Sequence, residues 1–176
     1  MAAPALGSFR AMTDPASTFL KLAGSLDYPL FIVTASHGER REGCVIGFAT
    51  HCSFQPARFL ACLSRENRTF DLALGAEALA VHLVPDARAD LAELFGGETG
   101  DEIDKFTRCA WHPGPRGLPV LDDCPSWFAG AICARHDLGD HVGFLLDPFE
   151  ASFAPGEAIV YFQSVKDDIE PGHPIT

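Results

Sequence analysis

The chain lacks the features that would place it in a membrane or on a nucleic acid. None of its apolar runs is long enough to cross a bilayer, and its first residues do not have the layout of a signal peptide. Its formal net charge of −11 repels nucleic acid and anionic membrane surfaces. We therefore expect a cytoplasmic protein that binds small molecules, and any anionic ligand must be held by local donors.

Motifs of several nucleotide-binding and hydrolytic proteins are also missing. The sequence contains no Gly-x-Gly-x-x-Gly, no phosphate loop and no Gly-x-Ser-x-Gly. A nicotinamide cofactor would therefore not be held by a Rossmann unit. Carboxylate pairs such as Asp122-Asp123 fall in polar turns, which gives acid–base hydrolysis little support.

Cysteine is present, but not in a pattern that indicates metal binding. The six cysteines form no Cys-x-x-Cys pair and no Cys/His spacing typical of zinc, so we expect no metal. Cys44, Cys62 and Cys133 lie inside apolar runs, where a free thiol behaves as a small hydrophobic group. Reduced, buried thiols are expected rather than disulfides, in agreement with a cytoplasmic location.

Helix signals are sparse and divide the chain simply. Asp14 and Pro15 predict the start of a helix that continues to Ala23 and ends at Gly24. Further helical segments are expected at 69–74 and 87–95, with a charged turn at 101–106. We expect a frayed N-terminus over 1–13, one domain over 14–163, and an irregular acidic tail over 164–176.

Seven apolar runs rich in Val, Ile, Phe and Leu predict a mainly antiparallel sheet closed into a barrel. They cover residues 29–35, 44–50, 58–63, 78–84, 127–134, 142–146 and 158–162. Because the runs are nearly continuous rather than alternating, the strands should be covered on both faces. With few helices available as cover, we infer a homodimer.

Two of these runs end in polar clusters that suit a phosphate-bearing, planar cofactor. The run at 58–63 is followed by Ser64, Arg65, Asn67 and Thr69 at the start of a predicted helix, where unpaired N–H groups favour an anion. Arg65 or Arg68 could add a charge-assisted contact. Plain helix capping by Asn67 or Thr69 is the alternative. The run at 44–50 leads into the cluster Ala49, Thr50, His51, Cys52 and Ser53. This cluster could line the edge of an isoalloxazine ring or form a simple turn.

Two histidines stand out by position. His141 follows Gly139-Asp140 at the entrance of an apolar run, where its imidazole could contact a nicotinamide carboxamide or a phosphate. Spacing alone favours a turn without a ligand. His82 lies inside an apolar run and is expected to be a hydrogen-bonded core histidine.

Seven short stretches in this order resemble the flavin reductase family, which has the FMN-binding split-barrel fold. They are IVTA at 32–35, the Thr-x-x-Ser-x-x-Pro pattern of Thr50, Ser53 and Pro56, CLSRENRT at 62–69, LAELFGG at 91–97, GDEIDKF at 100–106, GLPVL at 117–121 and GDH at 139–141. The resemblance implies a six-stranded antiparallel split barrel of Greek-key type with a few short helices. It also implies a homodimer with flavin in a groove near the dimer interface.

The same resemblance implies an activity and a set of site residues. Members use NADH or NADPH to reduce FMN or FAD, and many pass the reduced flavin to a partner monooxygenase. The segment 47–53 would face the flavin ring, and Ser64, Arg65, Asn67 and Thr69 would hold the phosphate. Lys105 and Phe106 would close over the flavin, and His141 would meet the nicotinamide. Gly47-Phe48 replaces the Asn-Ser of many relatives and removes polar side chains near the ring.

The sequence therefore predicts an NAD(P)H-dependent flavin reductase that uses FMN, with FAD possible. The alternative is a carrier or sensor that binds flavin, deazaflavin or haem without turnover. Haem would need an axial ligand, for which His51 or His82 is the candidate.

Overall fold

The structure is a computed structural model that describes residues 14–97 and 103–167. These residues form nine strands and four α-helices. The strands are β1 (Phe31–His37), β2 (Arg40–Ile46), β3 (Ala49–Phe54), β4 (Ala57–Ser64), β5 (Ala78–Leu83), β6 (Trp111–Pro113), β7 (Pro119–Leu121), β8 (Trp127–Asp137) and β9 (His141–Ser152). The helices are α1 (Pro15–Ala23), α2 (Arg68–Gly75), α3 (Ala89–Gly97) and α4 (Phe162–Val165).

Seven strands form one antiparallel sheet in the order β2-β1-β5-β8-β9-β4-β3, and β6 pairs with β7 in a separate hairpin. The predicted antiparallel, mainly β fold is confirmed, but the count of six strands is wrong. The run at 44–50 belongs to two strands, because the chain leaves β2 at Gly47-Phe48 and starts β3. The run at 158–162 forms only isolated bridges, at Ile159 and Tyr161, before α4 begins.

The sheet curls around a first hydrophobic core. Buried side chains of β2 and of β4 belong to the same cluster, although these strands lie near opposite ends of the strand order. Helix α2 fills one side of this core, where Phe70 packs edge-on against Phe144 with ring centroids 6.3 Å apart. Asn67 caps α2 and the helix includes Gly75, in close agreement with the helix predicted at 69–74.

A second core covers the other face of β1 and β2. Helix α3 and the segment around Val160 and Val165 pack there against Leu30 and Ile32. The predicted two-sided cover of the apolar strands is therefore confirmed for β1, whose Val33 faces the first core. Here α3 and the C-terminal segment provide the cover within one chain. The helix predicted at 87–95 begins later, because Asp86–Arg88 form a 3-10 turn before α3.

The ends of the described chain are joined to each other. Helix α1 has the predicted start and end: the Asp14 carboxylate accepts from the Ser17 N–H at 3.0 Å, and Gly24 is the C-cap. None of its residues is buried. The side-chain amide of Gln163 donates to the carbonyls of Gly24 and Leu26 at 3.0 and 2.9 Å. The predicted frayed segment 1–13 and most of the predicted acidic tail lie outside the described residues, whereas residues 164 and 165 are helical.

The core residues include His82 and two of the three cysteines expected there. His82 is fully buried: Nδ1 lies 3.0 Å from the Ile32 carbonyl, and Nε2 accepts from the Leu121 N–H at 3.2 Å. All six cysteines are free, and Cys44 and Cys62 are buried. The expected burial of Cys133 is wrong, because it occupies a bulge in β8 and is exposed. Within the described residues, no helix is both long enough and apolar enough to span a membrane.

Candidate functional site

A cavity of about 220 Å³ opens between the ends of β2 and β4. Its floor and walls are apolar, and its rim carries polar side chains from distant parts of the chain. The apolar lining includes Leu30, Cys44, Ile46, Phe48, Cys62 and Phe95. The polar lining consists of Ser64, Asn67, His141 and Lys166. An apolar space with a few convergent polar groups is the usual form of a small-molecule site.

The segment Gly47-Phe48, where the chain leaves β2, forms part of the cavity lining. The Phe48 carbonyl accepts from the Cys62 N–H at 2.9 Å, which ties this segment to β4. The ring of Tyr28 packs directly on the Gly47 backbone, and a Cβ at Gly47 would collide with it. Glycine at position 47 is therefore a condition for the position of Tyr28.

Aromatic rings form a continuous row along one wall. Phe162 stacks on Tyr28 with centroids 4.9 Å apart and an angle of 12°. Tyr28 contacts Phe48 at 6.2 Å, and Phe48 contacts the His141 ring at 5.1 Å. Burial, with a smaller contribution from the neighbouring Asp27 carboxylate, raises the pKa of Tyr28 above its usual range. The Tyr28 and Phe48 rings meet at 55° and the Phe48 and His141 rings at 57°, so the row forms an angled aromatic wall against which a ligand ring can pack.

Ser64 and His141 are neighbours because β4 pairs with β9 in a register that places them opposite each other. The His141 Nδ1 lies 2.8 Å from the Asp140 carboxylate, and this bond lowers the pKa of Asp140. The His141 side chain is 24% exposed, so it is accessible from the cavity mouth. His141 lines the cavity with Ser64, and its bond to Asp140 is equally compatible with a turn that has no ligand, so contact of His141 with a nicotinamide stays a prediction.

The turn between β4 and α2 places two of its four predicted residues on the cavity. Ser64 and Asn67 line it, whereas Thr69 is buried in the helix start. Asn67 also caps α2, because its Oδ1 accepts from the Thr69 N–H at 3.0 Å. The Arg65 side chain points to the loop before β9: its Nε donates to the Gly139 carbonyl at 2.8 Å.

The cluster Ala49 to Ser53 lies beside the cavity rather than in its lining. These residues belong to β3, which in the described part of the chain is an edge strand paired with β4. Ala49 packs against the first core, and His51 packs edge-on against Phe54 with centroids 4.5 Å apart. Contact of Thr50, Cys52 or Ser53 with a flavin ring stays a prediction.

Lys105 and Phe106 lie behind the cavity wall. The buried Lys105 ammonium donates to the carbonyls of Phe95 and Gly43 at 3.1 and 3.3 Å. Phe106 packs edge-on between Phe95 and Trp111. Since Phe95 lines the cavity, both residues support its wall from outside, and their contact with a flavin also stays a prediction.

Sequence reasoning missed the contribution of Tyr28, Phe162 and Lys166 to the cavity. No local pattern links residue 28, which precedes the run predicted at 29–35, to residue 162, which ends the run predicted at 158–162. The unusual Gly47 is the one signal, since a glycine at a strand end marks a close approach by another group. Among the haem-ligand candidates, His82 has both ring nitrogens in hydrogen bonds and does not suit that role.

A curled antiparallel sheet with an aromatic-walled cavity and a polar rim defines a protein with a small-molecule site. The chain belongs to the flavin reductase like domain family, whose model matches residues 23–170. This confirms the family resemblance of the sequence.

Individual relatives are distant but consistent with this family. The chain is 24% identical over 132 residues to FMN reductase (NADH) RutF of Pseudomonas syringae pv. syringae, covering 74% of each protein. It is 27% identical over 123 residues to the stachydrine N-demethylase reductase subunit Stc3 of Rhizobium meliloti, covering 68% of this chain. The chain spans about half the length of Stc3, since the match covers 51% of that protein.

Solved structures show the same fold. NADH:FAD oxidoreductase SgcE6 of Streptomyces globisporus has a TM-score of 0.76 at 19% identity, covering 84% of this chain and 88% of that chain. Nitrilotriacetate monooxygenase component B of Mycobacterium thermoresistibile has a TM-score of 0.74 at 20% identity, covering 83% and 81%. At these identities the likeness establishes the fold alone.

Proposed function

We propose that the protein is an NAD(P)H-dependent flavin reductase that transfers a hydride from nicotinamide to FMN, with FAD as the alternative acceptor. The observation that carries this proposal is the convergence of Ser64, Asn67 and His141 at one aromatic-walled cavity. The names of relatives such as FMN reductase (NADH) RutF support the same reaction.

The cavity residues fit a flavin by chemistry. The aromatic side chains of Tyr28 and Phe48 offer apolar contact to the ring, and the Ser64 hydroxyl and Asn67 amide suit its polar groups. When bound, flavin supplies the hydride acceptor and the nicotinamide nucleotide supplies the donor. The protein then has to bind, orient and exclude water, and no acid or base is required in its side chains.

His141 would orient the nicotinamide. Because Asp140 holds Nδ1, the Nε2 atom is the one that can reach a ligand, and it can accept a hydrogen bond from a carboxamide. This role needs the imidazole to keep one orientation, which its contact with Phe48 also favours.

A homodimer and a partner monooxygenase complete the proposal. Several large apolar side chains are exposed, among them Phe19, Leu20 and Leu22 on α1 and Phe54 on β3, which is 85% exposed. Such surface is typical of an interface, and light scattering of the purified protein should give twice the chain mass.

A structural relative is itself named as a monooxygenase component, which supports delivery of reduced flavin to an oxygenase. Six free cysteines support a cytoplasmic location.

The deciding experiment measures NADH and NADPH oxidation by the purified protein with and without added FMN or FAD. We expect oxidation that depends on free flavin. If flavin binds but neither nucleotide is oxidised, the protein is a carrier or sensor instead.

A pair of matched variants tests the site. Ser64→Ala should raise the Kd for FMN about fivefold, the typical cost of one lost hydrogen bond. Ser152→Ala makes the same change at the exposed end of β9, outside the cavity lining, and should leave the Kd unchanged. Equal weakening by both variants would contradict the assignment of Ser64 to the flavin site.

A further inference from the structure

The loop that carries His141 is held in place by one arginine. Arg65 follows β4, and its backbone N–H donates to the Asp140 carbonyl at 3.0 Å. Its Nε donates to the Gly139 carbonyl at 2.8 Å, and its Nη2 lies 2.9 Å from the Asp137 carboxylate. Arg65 is therefore tied to the segment 137–140, which precedes His141, by one backbone contact and two side-chain contacts.

The Asp137 carboxylate also makes a hydrogen bond within the turn between β8 and β9. The Asp137 oxygen that meets Arg65 also accepts from the Gly139 N–H at 3.0 Å. Gly139 has φ of 109°, a conformation that side-chain-bearing residues rarely adopt. The Leu138 N–H donates to the His141 carbonyl at 3.0 Å, which completes a tight turn between β8 and β9.

The geometry of Arg65 is unlike that of a phosphate ligand. Two of its side-chain nitrogens have partners in the turn, and its guanidinium carbon lies 5.9 Å from the centre of the Phe70 ring. Arg65 does not line the cavity, although the adjacent Ser64 does. A planar guanidinium bonded to two fixed acceptors can hold the turn in one orientation, whereas the ammonium group of a lysine cannot.

We propose that Arg65 is a positioning residue for His141 and not a ligand of the flavin phosphate. It fixes the Gly139-Asp140 turn, and through Asp140 it fixes the imidazole that meets the nicotinamide. The inference rests on the proposed function in one respect, namely the role of His141 toward the nicotinamide. Loss of the Arg65 side chain should weaken binding of the nucleotide, because a mobile His141 imidazole spends less time in the productive orientation.

The test compares Arg65→Gln with a matched control, Arg58→Gln. Arg58 also bridges β4 and β9, through Asp147 at 2.7 Å, and does not line the cavity. Arg65→Gln should shift the His141 ring signals in NMR spectra of the ligand-free protein and raise the KM for NADH about tenfold. The Kd for FMN should stay within about twofold of wild type, because no phosphate contact is lost. Arg58→Gln should change none of these quantities.

Two further variants separate the positional role from a simple charge effect. Arg65→Lys keeps the positive charge but not the fork, so it should behave like Arg65→Gln. Asp137→Asn removes the ion pair and should raise the KM for NADH in the same way, with no further increase in the double variant. If Arg65 bound phosphate, Asp137→Asn would release it and FMN would bind more tightly.

The outcomes decide between the two roles. A Kd for FMN that rises tenfold in Arg65→Gln and is restored by Arg65→Lys would overturn the proposal, as would unchanged His141 signals. If wild-type protein oxidises neither nucleotide, the proposed function fails. In that case the His141 signals of the ligand-free protein alone decide whether Arg65 fixes the imidazole.

Discussion

Acidification should destabilise the fold through His82. This imidazole is fully buried, and its two nitrogens are bonded to the Ile32 carbonyl and the Leu121 N–H. Burial, which outweighs the opposing effect of the bond to Ile32, lowers its pKa from 6.5 to about 4. A second proton on the ring would also break the bond to Leu121, because Nε2 could no longer accept.

The magnitude follows from proton linkage. His82 takes up a proton near pH 6.5 in the unfolded chain and near pH 4 in the folded chain. Above pH 6.5 the ring is neutral in both states, and the contribution of His82 to the free energy of unfolding is fully present. As the pH falls from 6.5 to 4, this group alone should remove about 3 kcal/mol from the free energy of unfolding. Between pH 8 and pH 5 the loss should be about 2 kcal/mol.

Urea unfolding at several pH values measures this effect directly. His82→Asn can keep the bond to Ile32 and does not titrate, so its stability should be lower at pH 8 but should fall about 2 kcal/mol less by pH 5. His37→Asn, at the exposed end of β1, controls for the loss of one imidazole.

An equal pH dependence in wild type and His82→Asn would refute the reasoning. If His82→Asn does not fold, NMR of the wild-type imidazole replaces it. Titration of the His82 ring near pH 6.5 in the folded protein would then contradict the argument.

Two other substitutions test the cavity wall. Gly47→Ala should lower the free energy of unfolding by about 1–3 kcal/mol, because its Cβ would displace the Tyr28 ring. Urea unfolding of Gly47→Ala in a Tyr28→Ala background should show almost no further loss, and a full additive loss would contradict the clash. Lys105→Met should lower the free energy of unfolding by about 2–3 kcal/mol, because two buried carbonyls lose a charged donor. Lys166→Met at the exposed rim is the control and should leave stability unchanged, so equal losses would argue against a buried role for Lys105.

The sequence was sufficient to predict those features of the fold that depend on residues close together in the chain. The Asp14 cap and Gly24 stop predicted α1, and the apolar surroundings of His82 predicted its burial. The single strand predicted at 44–50 was wrong, because the end of β2 and the start of β3 differ in environment. Gly43, Cys44 and Ile46 at the end of β2 are buried, whereas β3 is a polar edge strand whose residues are exposed or half-buried.

The candidate site was only partly predictable for a related reason. Ser64 and Asn67 lie at a helix start and are recognisable there, and His141 joins them through the β4–β9 register. The direction of the Arg65 side chain could not be read from its position, because it depends on a loop more than 70 residues later in the chain. Tyr28 and Phe162 meet through tertiary packing alone.

The junction of the two chain ends links the cavity to the completion of folding. The backbone N–H of Gln163 donates to the Asp27 carboxylate, 136 residues earlier, and the Phe162 N–H donates to the Tyr28 carbonyl. Contacts between such distant residues form late, since the chain must close a long loop before they are gained. During synthesis the aromatic wall would therefore appear only after nearly the whole domain has left the ribosome. The part of the cavity wall formed by Tyr28 and Phe162 would then be complete only in the finished fold.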